Sequence, residues 1–426
     1  MFASSRHLHL ELFCTHGTPV MERLGYLPAS GFPIVISFLG RFLDGDRDNL
    51  IAALGHRDRV QVVEINAPLS LFEELVTVIQ EPLPALTYWH LHCHSDKSVP
   101  KPILPDTFLG GSAPRLKTIN IAGIRFPTAP TFLSSARNLV DVILFDIQSG
   151  DIPPEAMVAN LAALPKLKYL SLTFAWRMSY HDRMHLPSIT RSVFSALTRS
   201  VLPALTKFTF HGLFEYFEDF VAHIEAPQLN FLEIEYHDQD DGTDYQFPQL
   251  RKFIDRSVIP KSSCFRNANL SIDHYTAVIK LDWGQSSFHL SVQEDVVDQV
   301  VNQLSSLLFK VDGLFISSRL RRDFDIGKGI RWLELLRPFT AVKVLSVDED
   351  LSYHFPLALN SVTGEGVGKV LPALKLLFLE AEPVTSMKEF VAARQNVGCP
   401  VTFIRERWEF NERLDSLLNS LDVCEY

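Results

Sequence analysis

The stretch Leu83–Asp96, which reads LPALTYWHLHCHSD, contains the pattern from which the fold of this chain is predicted. Apolar residues stand at Leu86, Trp89 and Leu91, so the frame is apolar, two variable, apolar, one variable, apolar. Alternate side chains of a β-strand point to opposite faces. The frame therefore predicts a strand that buries Trp89 and Leu91 on one face and directs His90 and His92 to the other.

The same frame occurs eleven times, at intervals of 23 to 49 residues. The other copies begin at Val60, Leu116, Leu139, Leu167, Leu205, Leu229, Val278, Val311, Val342 and Leu374. Many follow a short lead-in such as LPAL, LPKL or APQL. One six-residue match is common by chance, but a spaced series with similar lead-ins is typical of a repeat protein. The longest interval, after Leu229, is expected to hide a degenerate repeat.

Helix-like segments lie between the frames, among them SLFEELVTVIQ, PPEAMVANLAAL and EYFEDFVAHI. Each repeat is therefore expected to be one strand and one helix, joined by right-handed crossovers. One repeat cannot bury its apolar face alone, whereas stacked repeats share a continuous core. Strands of the form L-x-x-L-x-L are typical of leucine-rich repeats. We predict an α/β fold, a leucine-rich-repeat solenoid of about 11–12 repeats with a curved parallel sheet inside and helices outside.

A (β/α) barrel also alternates strands and helices, but its strands are buried on both faces and read as continuous apolar runs. Here the fifth position of the frame is often polar. The residues at this position include Glu64, His90, Asn120, Ser171, Thr209, Glu233, Asp282 and Ser346. This alternation favours a solenoid whose sheet has one wet face.

Three segments are predicted along the chain. Residues 1–48 are expected to form an N-terminal capping segment, and residues 49–400 the solenoid. Residues 401–426 should form a C-terminal cap, with a strand in VTFIRE and an amphipathic helix in NERLDSLLNSL. A cap is expected because the last repeat would otherwise expose its apolar surface.

Composition narrows the class of protein. Hydrophobic residues make up 46% and charged residues 21% of the 426 residues, as in soluble globular proteins. A net charge of −10 argues against general nucleic-acid binding, which needs a concentrated basic face. No apolar run approaches the roughly 20 residues that span a bilayer. Five scattered cysteines without a C-x-x-C pair fit reduced thiols, so we expect a cytoplasmic or nuclear protein with no nucleic-acid or membrane partner.

Several phrases together resemble the leucine-rich region of fungal F-box-like proteins. They include IPPEAMVANLAALPKLKYLSLTF, TRSVLPALTKFTFHG and VLPALKLLFLE, and the similarity runs from about Leu8 to Arg405. The resemblance implies an intracellular recognition scaffold, a substrate receptor of a ubiquitin ligase. In that family an F-box near the N-terminus docks the ligase adaptor. The opening segment LHLELFCTHGTPVMERLGYLP resembles sequence that lies after the F-box, so the adaptor is expected as a partner only if an F-box is missing from this sequence.

A competing hypothesis is a metal-dependent hydrolase built on His90 and His92. Two residues along a strand are about 6.6 Å apart at their α-carbons, so two imidazoles could share a metal. Glu64 is expected on the same rung as His90 and Asn120, where it would raise the pKa of His90. The frame places no further His or Cys nearby, and no Ser/His/Asp or Cys/His arrangement is evident. The leading prediction is therefore a non-catalytic protein without metal or cofactor.

Three other motifs are predicted to be loops. TGEGVGKV, residues 363–370, lacks the first Gly and the closing Ser or Thr of a phosphate-binding loop. DQDDGTD, residues 238–244, lacks the closing Glu of a calcium loop. RLRRD, residues 319–323, is a local basic patch in a solvated loop.

The frame also predicts which side chains would meet a partner on the concave face. Aromatic and histidine residues dominate its first half and carboxylates its second half, and exposed aromatic patches are typical of contact surfaces. We predict a protein partner with a basic or polar segment, unless other parts of the chain cover this face. The predicted binding residues are Glu64, Tyr88, His90, His92, Asn120, Phe145, Tyr169, Lys207, Phe231, Glu233, Glu235 and Asp282.

Overall fold

The chain divides into two compact units, Met1–Leu229 and Asn230–Tyr426. Both combine helices with strands that are mostly parallel, so the predicted α/β class is confirmed. The computed structural model describes residues 10–13, 33–38, 46–94, 99–127, 130–148, 152–175, 199–236, 246–257, 266–273, 276–283, 286–318, 331–348, 351, 368–379 and 385–405.

The described strands of the first unit form one parallel sheet and one short separate pair. Eight strands follow one another in the sheet in chain order, and β8 pairs only with β10. No described pairing within this unit joins β1 to β9, as a closed barrel would require. The strands are β1 (Leu10–Phe13), β2 (Ile34–Phe38), β3 (Val60–Pro68), β4 (Tyr88–His94), β5 (Thr118–Ala122), β6 (Asp141–Ile147), β7 (Tyr169–Phe174), β8 (Ser200–Val201), β9 (Lys207–Gly212) and β10 (Ile224–Glu225).

Helices occupy the segments between these strands. The three helix-like sequences quoted above are confirmed, and Pro154 begins one of them because its fixed φ suits the first helical turn. The described helices are α1 (Asp46–Leu54), α2 (Leu69–Val78), α3 (Thr131–Ser135), α4 (Pro154–Ala162) and α5 (Phe214–Ala222), with a 3₁₀ helix at Phe108–Gly111.

A repeated turn introduces the strands of the first unit. The N–H of Leu86, the first residue of its frame, donates to the carbonyl of Leu83 at 3.1 Å. The next N–H, of Thr87, donates to the Gln61 carbonyl of the preceding repeat at 2.8 Å. Both bonds recur in the later repeats. The backbone N–H groups that donate them are those of Leu116 and Lys117, Leu139 and Val140, Leu167 and Lys168, and Leu205 and Thr206. The turn therefore sets each new strand in register with the strand before it.

The core lies between the sheet and the helices. Trp89 and Leu91 are 0% and 1% exposed, as predicted. The ring of Trp89 meets that of Phe108 edge-on at 5.1 Å, and Phe108 meets Phe132 at 5.2 Å. The fourth and sixth frame positions are buried in every repeat whose side chains are described. This confirms the alternation on which the fold prediction depends.

The second unit departs from a simple repeat. Its strands lie in the order β11-β14-β13-β12-β15-β16-β17-β18, and β13 runs antiparallel to both β12 and β14. The strands are β11 (Phe231–Tyr236), β12 (Asn267–Ile272), β13 (Thr276–Trp283), β14 (Ser286–Gln293), β15 (Gly313–Ser318), β16 (Val344–Val347), β17 (Leu376–Leu379) and β18 (Thr402–Ile404). The described helices are α6 (Pro248–Arg256), α7 (Val297–Gln303), α8 (Ser305–Leu308), α9 (Trp332–Leu336) and α10 (Thr385–Asn396), with a 3₁₀ helix at Glu294–Val296.

The frame at Val278 was expected to mark a parallel strand, and this expectation is wrong. Val278 lies inside β13 rather than in a turn before it, on the same face as Lys280 and Asp282, and it is half-buried. All other first positions of the frame are buried. The apolar residues of β13 fit the frame only because a strand of any direction alternates between its two faces.

A second expectation also fails, because the face predicted to be wet is buried on β15 to β17, and Ser171 and Thr209 of the first unit are likewise only 8% and 7% exposed. Phe315, Ser346 and Phe378 are only 7%, 8% and 2% exposed. Both faces of β16 and β17 are buried throughout. The frame identifies the residues that face the helices, but it carries no information on what packs against the other face.

Arg394 is a fully buried cation near the end of α10. Its guanidinium donates to the Val370 carbonyl at 2.7 Å and to the Cys399 carbonyl at 3.3 Å, and lies 5.9 Å from the ring centroid of Phe390. The N–H of Cys399 in turn donates to the Arg394 carbonyl at 2.9 Å. This one side chain therefore ties α10 to the turn before β17 and to the turn before β18.

The chain termini are described only in part. β1 and β2 lie within the predicted capping segment 1–48. β1 pairs in parallel with β2, and β2 pairs in parallel with β3. The strand predicted in VTFIRE is present as β18, whereas the helix predicted over residues 411–421 lies outside the described residues. The motifs at 238–244 and 319–323, and most of 363–370, also lie outside them. None of the described helices has the length and apolar character needed to cross a membrane.

The alternation in β4 predicts opposite effects for two neighbouring substitutions. Trp89→Ala should lower the free energy of unfolding by about 3–5 kcal/mol, because it removes a large, fully buried ring. His90→Ala, on the half-exposed face, should change it by less than about 1 kcal/mol. Urea unfolding of both variants measures the difference. Equal effects would contradict the assignment of the two faces.

Candidate partner-binding surfaces

The first unit brings together eight of the predicted binding residues on the sheet face opposite its helices. The parallel register pairs Glu64 with His90 and His90 with Asn120, so these three form one rung, as expected. We call the surface that carries these eight residues the aromatic face. It comprises Glu64, Tyr88, His90, His92, Asn120, Phe145, Tyr169 and Lys207.

The aromatic face combines apolar rings with polar groups that are partly exposed. The ring of Phe145 is 52% exposed, the largest exposure of any aromatic side chain that the structure describes. The ammonium of Lys207 lies 4.9 Å from the ring centroid of Tyr169, a cation–π contact between neighbouring strands. In the rung that contains Tyr169 and Lys207, the Thr118 hydroxyl donates to the Asp141 carboxylate at 2.9 Å. The face is therefore an amphipathic surface on rigid strands.

A β-bulge in β6 directly follows Phe145. The register shifts between Phe145 and Ile147, and Asp146 adopts a positive φ of 66°. Lys101 holds this bulge, because its ammonium pairs with the Asp146 carboxylate at 2.5 Å and donates to the Asp146 carbonyl at 3.1 Å. Two residues of β6 thus stand opposite one residue of β7, and the exposed ring of Phe145 precedes the bulged residue.

Glu64 raises the pKa of His90, as predicted, but the net pKa lies below its ordinary value. Burial lowers the pKa of His90, and the charge of Glu64 opposes this shift without reversing it. The half-buried imidazolium loses more hydration than the neighbouring carboxylate replaces. His90 is therefore neutral at pH 7.

His92 is subject to a similar balance. Burial lowers its pKa, the nearby His94 and His90 lower it further, and Asp146 raises it. The rings of His92 and His94 lie 4.1 Å apart between centroids, close enough for two imidazolium charges to repel each other. At neutral pH the histidines of this face act as neutral hydrogen-bonding groups.

The described residues contain no group of three or more His, Cys, Asp or Glu side chains arranged to hold a metal ion. Cys93 points to the buried face of β4 and is 2% exposed. Burial, with a smaller contribution from Glu73, raises the pKa of the Cys93 thiol to about 11. A thiol with this pKa is protonated at pH 7, and metal ligation requires the thiolate.

The second unit has a cavity of about 380 Å³ on its sheet, which we call the charged pocket. Two of the predicted binding residues, Glu233 and Glu235, line it from β11, and Lys280 lines it from β13. The lining residues are Glu233, Ile234, Glu235, Asn269, Ser271, Thr276, Val278, Lys280, His289, Ser291 and Ser317.

A chain of hydrogen bonds borders the charged pocket. Ser287 Oγ donates to Asp282 Oδ1 at 2.7 Å and lies 2.6 Å from His289 Nε2. The hydroxyl has one proton, and Asp282 receives it, so we assign the proton of the second bond to His289 Nε2. Hydrogen bonding to His289, opposed by burial and assisted by Ser287, lowers the pKa of Asp282. The ring of Phe231 packs edge-on against His289 at 5.4 Å between centroids.

Sequence reasoning missed His289, Ser287 and Asn269 because β12 and β14 lack the repeated frame. A usable signal was present in β14, whose sequence SSFHLSVQ alternates strictly and buries Phe288, Leu290 and Val292. Lys280 and Asp282 were placed on the correct face, although the direction of β13 was wrong.

Neither a protein-family model nor a curated protein sequence matches this chain. The two surfaces are therefore interpreted from their own side chains.

The charge of Glu64 can be tested through His90. Glu64→Gln should lower the pKa of His90 further, because it removes the one group that raises it and leaves the burial unchanged. An NMR titration of the His90 ring in both proteins measures the shift. A rise or no change at His90 would contradict the pairing.

The pKa of Asp282 should depend on the two side chains that hydrogen-bond to it. Because its pKa is lowered, its contribution to stability is present above the ordinary Asp pKa near 3.9 and is lost as the pH falls through the lowered value. His289→Phe should raise the pKa of Asp282 more than Ser287→Ala does, because the bond to His289 is the larger cause. A ¹³C NMR titration of the Asp282 carboxyl would show the order of the two effects, and the reverse order would contradict the assignment.

Proposed function

We propose that this chain is a non-catalytic recognition scaffold that binds a protein partner on the aromatic face. The observation that supports the proposal most directly is the exposure of Phe145 on the sheet face that also carries Tyr169 and His92. A partner that covers this apolar surface gains roughly 25 cal/mol of binding free energy for each Å² that it removes from water.

The composition of the aromatic face fits a protein ligand. Tyr88 and Tyr169 offer apolar rings with polar tips, and such residues are enriched in the energetic centres of interfaces. The lowered pKa values keep His90 and His92 neutral, so a partner need not supply negative charge to match them.

We further propose that the repeats belong to a leucine-rich-repeat solenoid of the F-box-derived type, and that the chain acts as a substrate receptor. The frames other than the one at Val278 and the repeated turn support this proposal, as does the resemblance to fungal F-box-like proteins. A ubiquitin-ligase adaptor would be a partner only if an F-box is missing from this sequence. A cytoplasmic or nuclear location fits the reduced thiols, and no nucleic-acid or membrane partner is proposed.

Affinity purification followed by mass spectrometry tests the aromatic face. Phe145→Ser should weaken the main partner by about 2 kcal/mol, or roughly thirtyfold in affinity, as expected for a hot-spot aromatic. Phe309→Ser is the matched control, because Phe309 is also exposed, at 47%, but belongs to the second unit, where it follows α8. Tyr169→Ala should act like Phe145→Ser. Identical partner profiles for all four proteins would refute the proposed surface.

A further inference from the structure

We propose that the charged pocket of the second unit binds a small organic zwitterion, with the ligand's ammonium group at Glu233 and its carboxylate at Lys280. This site is separate from the aromatic face. The proposal therefore stands whether or not that face binds a protein.

The strand register arranges the charges of the pocket in one row. Glu233 on β11 pairs with His289 on β14, His289 with Lys280 on β13, and Lys280 with Asn269 on β12. All four side chains line the cavity. Strands are about 4.8 Å apart, so Glu233 and Lys280 start from backbone positions roughly 9.6 Å apart. In this row a negative and a positive group thus lie two strands apart, with the imidazole of His289 between them and Asn269 beyond Lys280.

These groups are not satisfied by one another. Among the described residues, the carboxylate of Glu233 and the ammonium of Lys280 make no hydrogen bond or ion pair. The side-chain oxygen of Asn269 is buried and accepts no hydrogen bond within the same part of the chain. Buried polar groups are normally hydrogen-bonded, so the row has unused capacity for a ligand.

The mixture of charges selects the class of ligand. A simple cation would be attracted by Glu233 and repelled by Lys280. A simple anion would be attracted by Lys280 and repelled by Glu233. A ligand with both charges at opposite ends satisfies both groups, while Asn269 and the hydroxyls of Ser271 and Ser291 supply hydrogen bonds along its length. The cavity volume of about 380 Å³ lies within the roughly 300–1,000 Å³ range of small-molecule sites.

Three probes of equal chain length separate the possible ligands. Calorimetry with the full chain should show that 6-aminohexanoate binds at least tenfold more tightly than hexylamine or hexanoate. Hexylamine binding as tightly as 6-aminohexanoate would make the pocket a site for cationic side chains and overturn the proposal. Absence of binding by 6-aminohexanoate at millimolar concentration would overturn it as well.

Substitutions locate the binding within the pocket. Glu233→Gln and Lys280→Gln should each weaken 6-aminohexanoate at least tenfold, and 6-aminohexanoate should shift the ring NMR signals of His289. Glu334→Gln and Lys310→Gln are the matched controls, because both residues are exposed in the same unit and outside the pocket. Unchanged thermal unfolding midpoints show that the variants are folded. If Lys280→Gln leaves the affinity for 6-aminohexanoate unchanged, or if the controls weaken it equally, the proposal is wrong.

Discussion

The backbone hydrogen bond from the second frame position to the preceding repeat is the constraint on which the first unit depends. The bond from Thr87 to Gln61 aligns the chain with the previous strand as it leaves the turn, and the equivalent bonds do the same in the later repeats. A slip of one residue would exchange the two faces of every following strand. Trp89 would then face water and His90 the core. The buried leucine that begins each frame holds the turn, so packing and register reinforce each other.

This coupling explains how much of the structure could be predicted from sequence. The side chains of Trp89 and Leu91, and the rung of Glu64 with His90, follow from local alternation combined with equal turns. The antiparallel path of β13 could not be predicted, because alternation is the same for both strand directions. Alternation alone placed Phe145 on the exposed face, whereas the bulge that follows it, stabilised by Lys101 45 residues earlier in the chain, could not be predicted. The burial of Ser346 depends on packing that the frame does not encode.

The electrostatics of the two surfaces differ for a physical reason. At His90 the favourable partner, Glu64, acts through charge alone and does not compensate for lost hydration. At Asp282 hydrogen bonding from Ser287 and from His289 to the carboxylate outweighs burial. Direct bonds restore what water supplied, whereas a neighbouring charge restores only part of it. Adjacency in the register was therefore enough to identify the pair Glu64 and His90, but not the sign of the resulting pKa shift.

The frame positions that face the core differ from those on the other face of the sheet, and this difference accounts for the chemistry of the exposed faces. Because the first, fourth and sixth positions carry the core, the third and fifth can hold aromatic, neutral or charged groups without loss of the fold. In the first unit they hold the rings of Tyr88 and Tyr169, and in the second they hold Glu233. Lys280 reaches the same row through an inserted antiparallel strand rather than through a repeat. That insertion places a cation opposite a carboxylate, an arrangement that alternation within identical parallel repeats does not by itself produce.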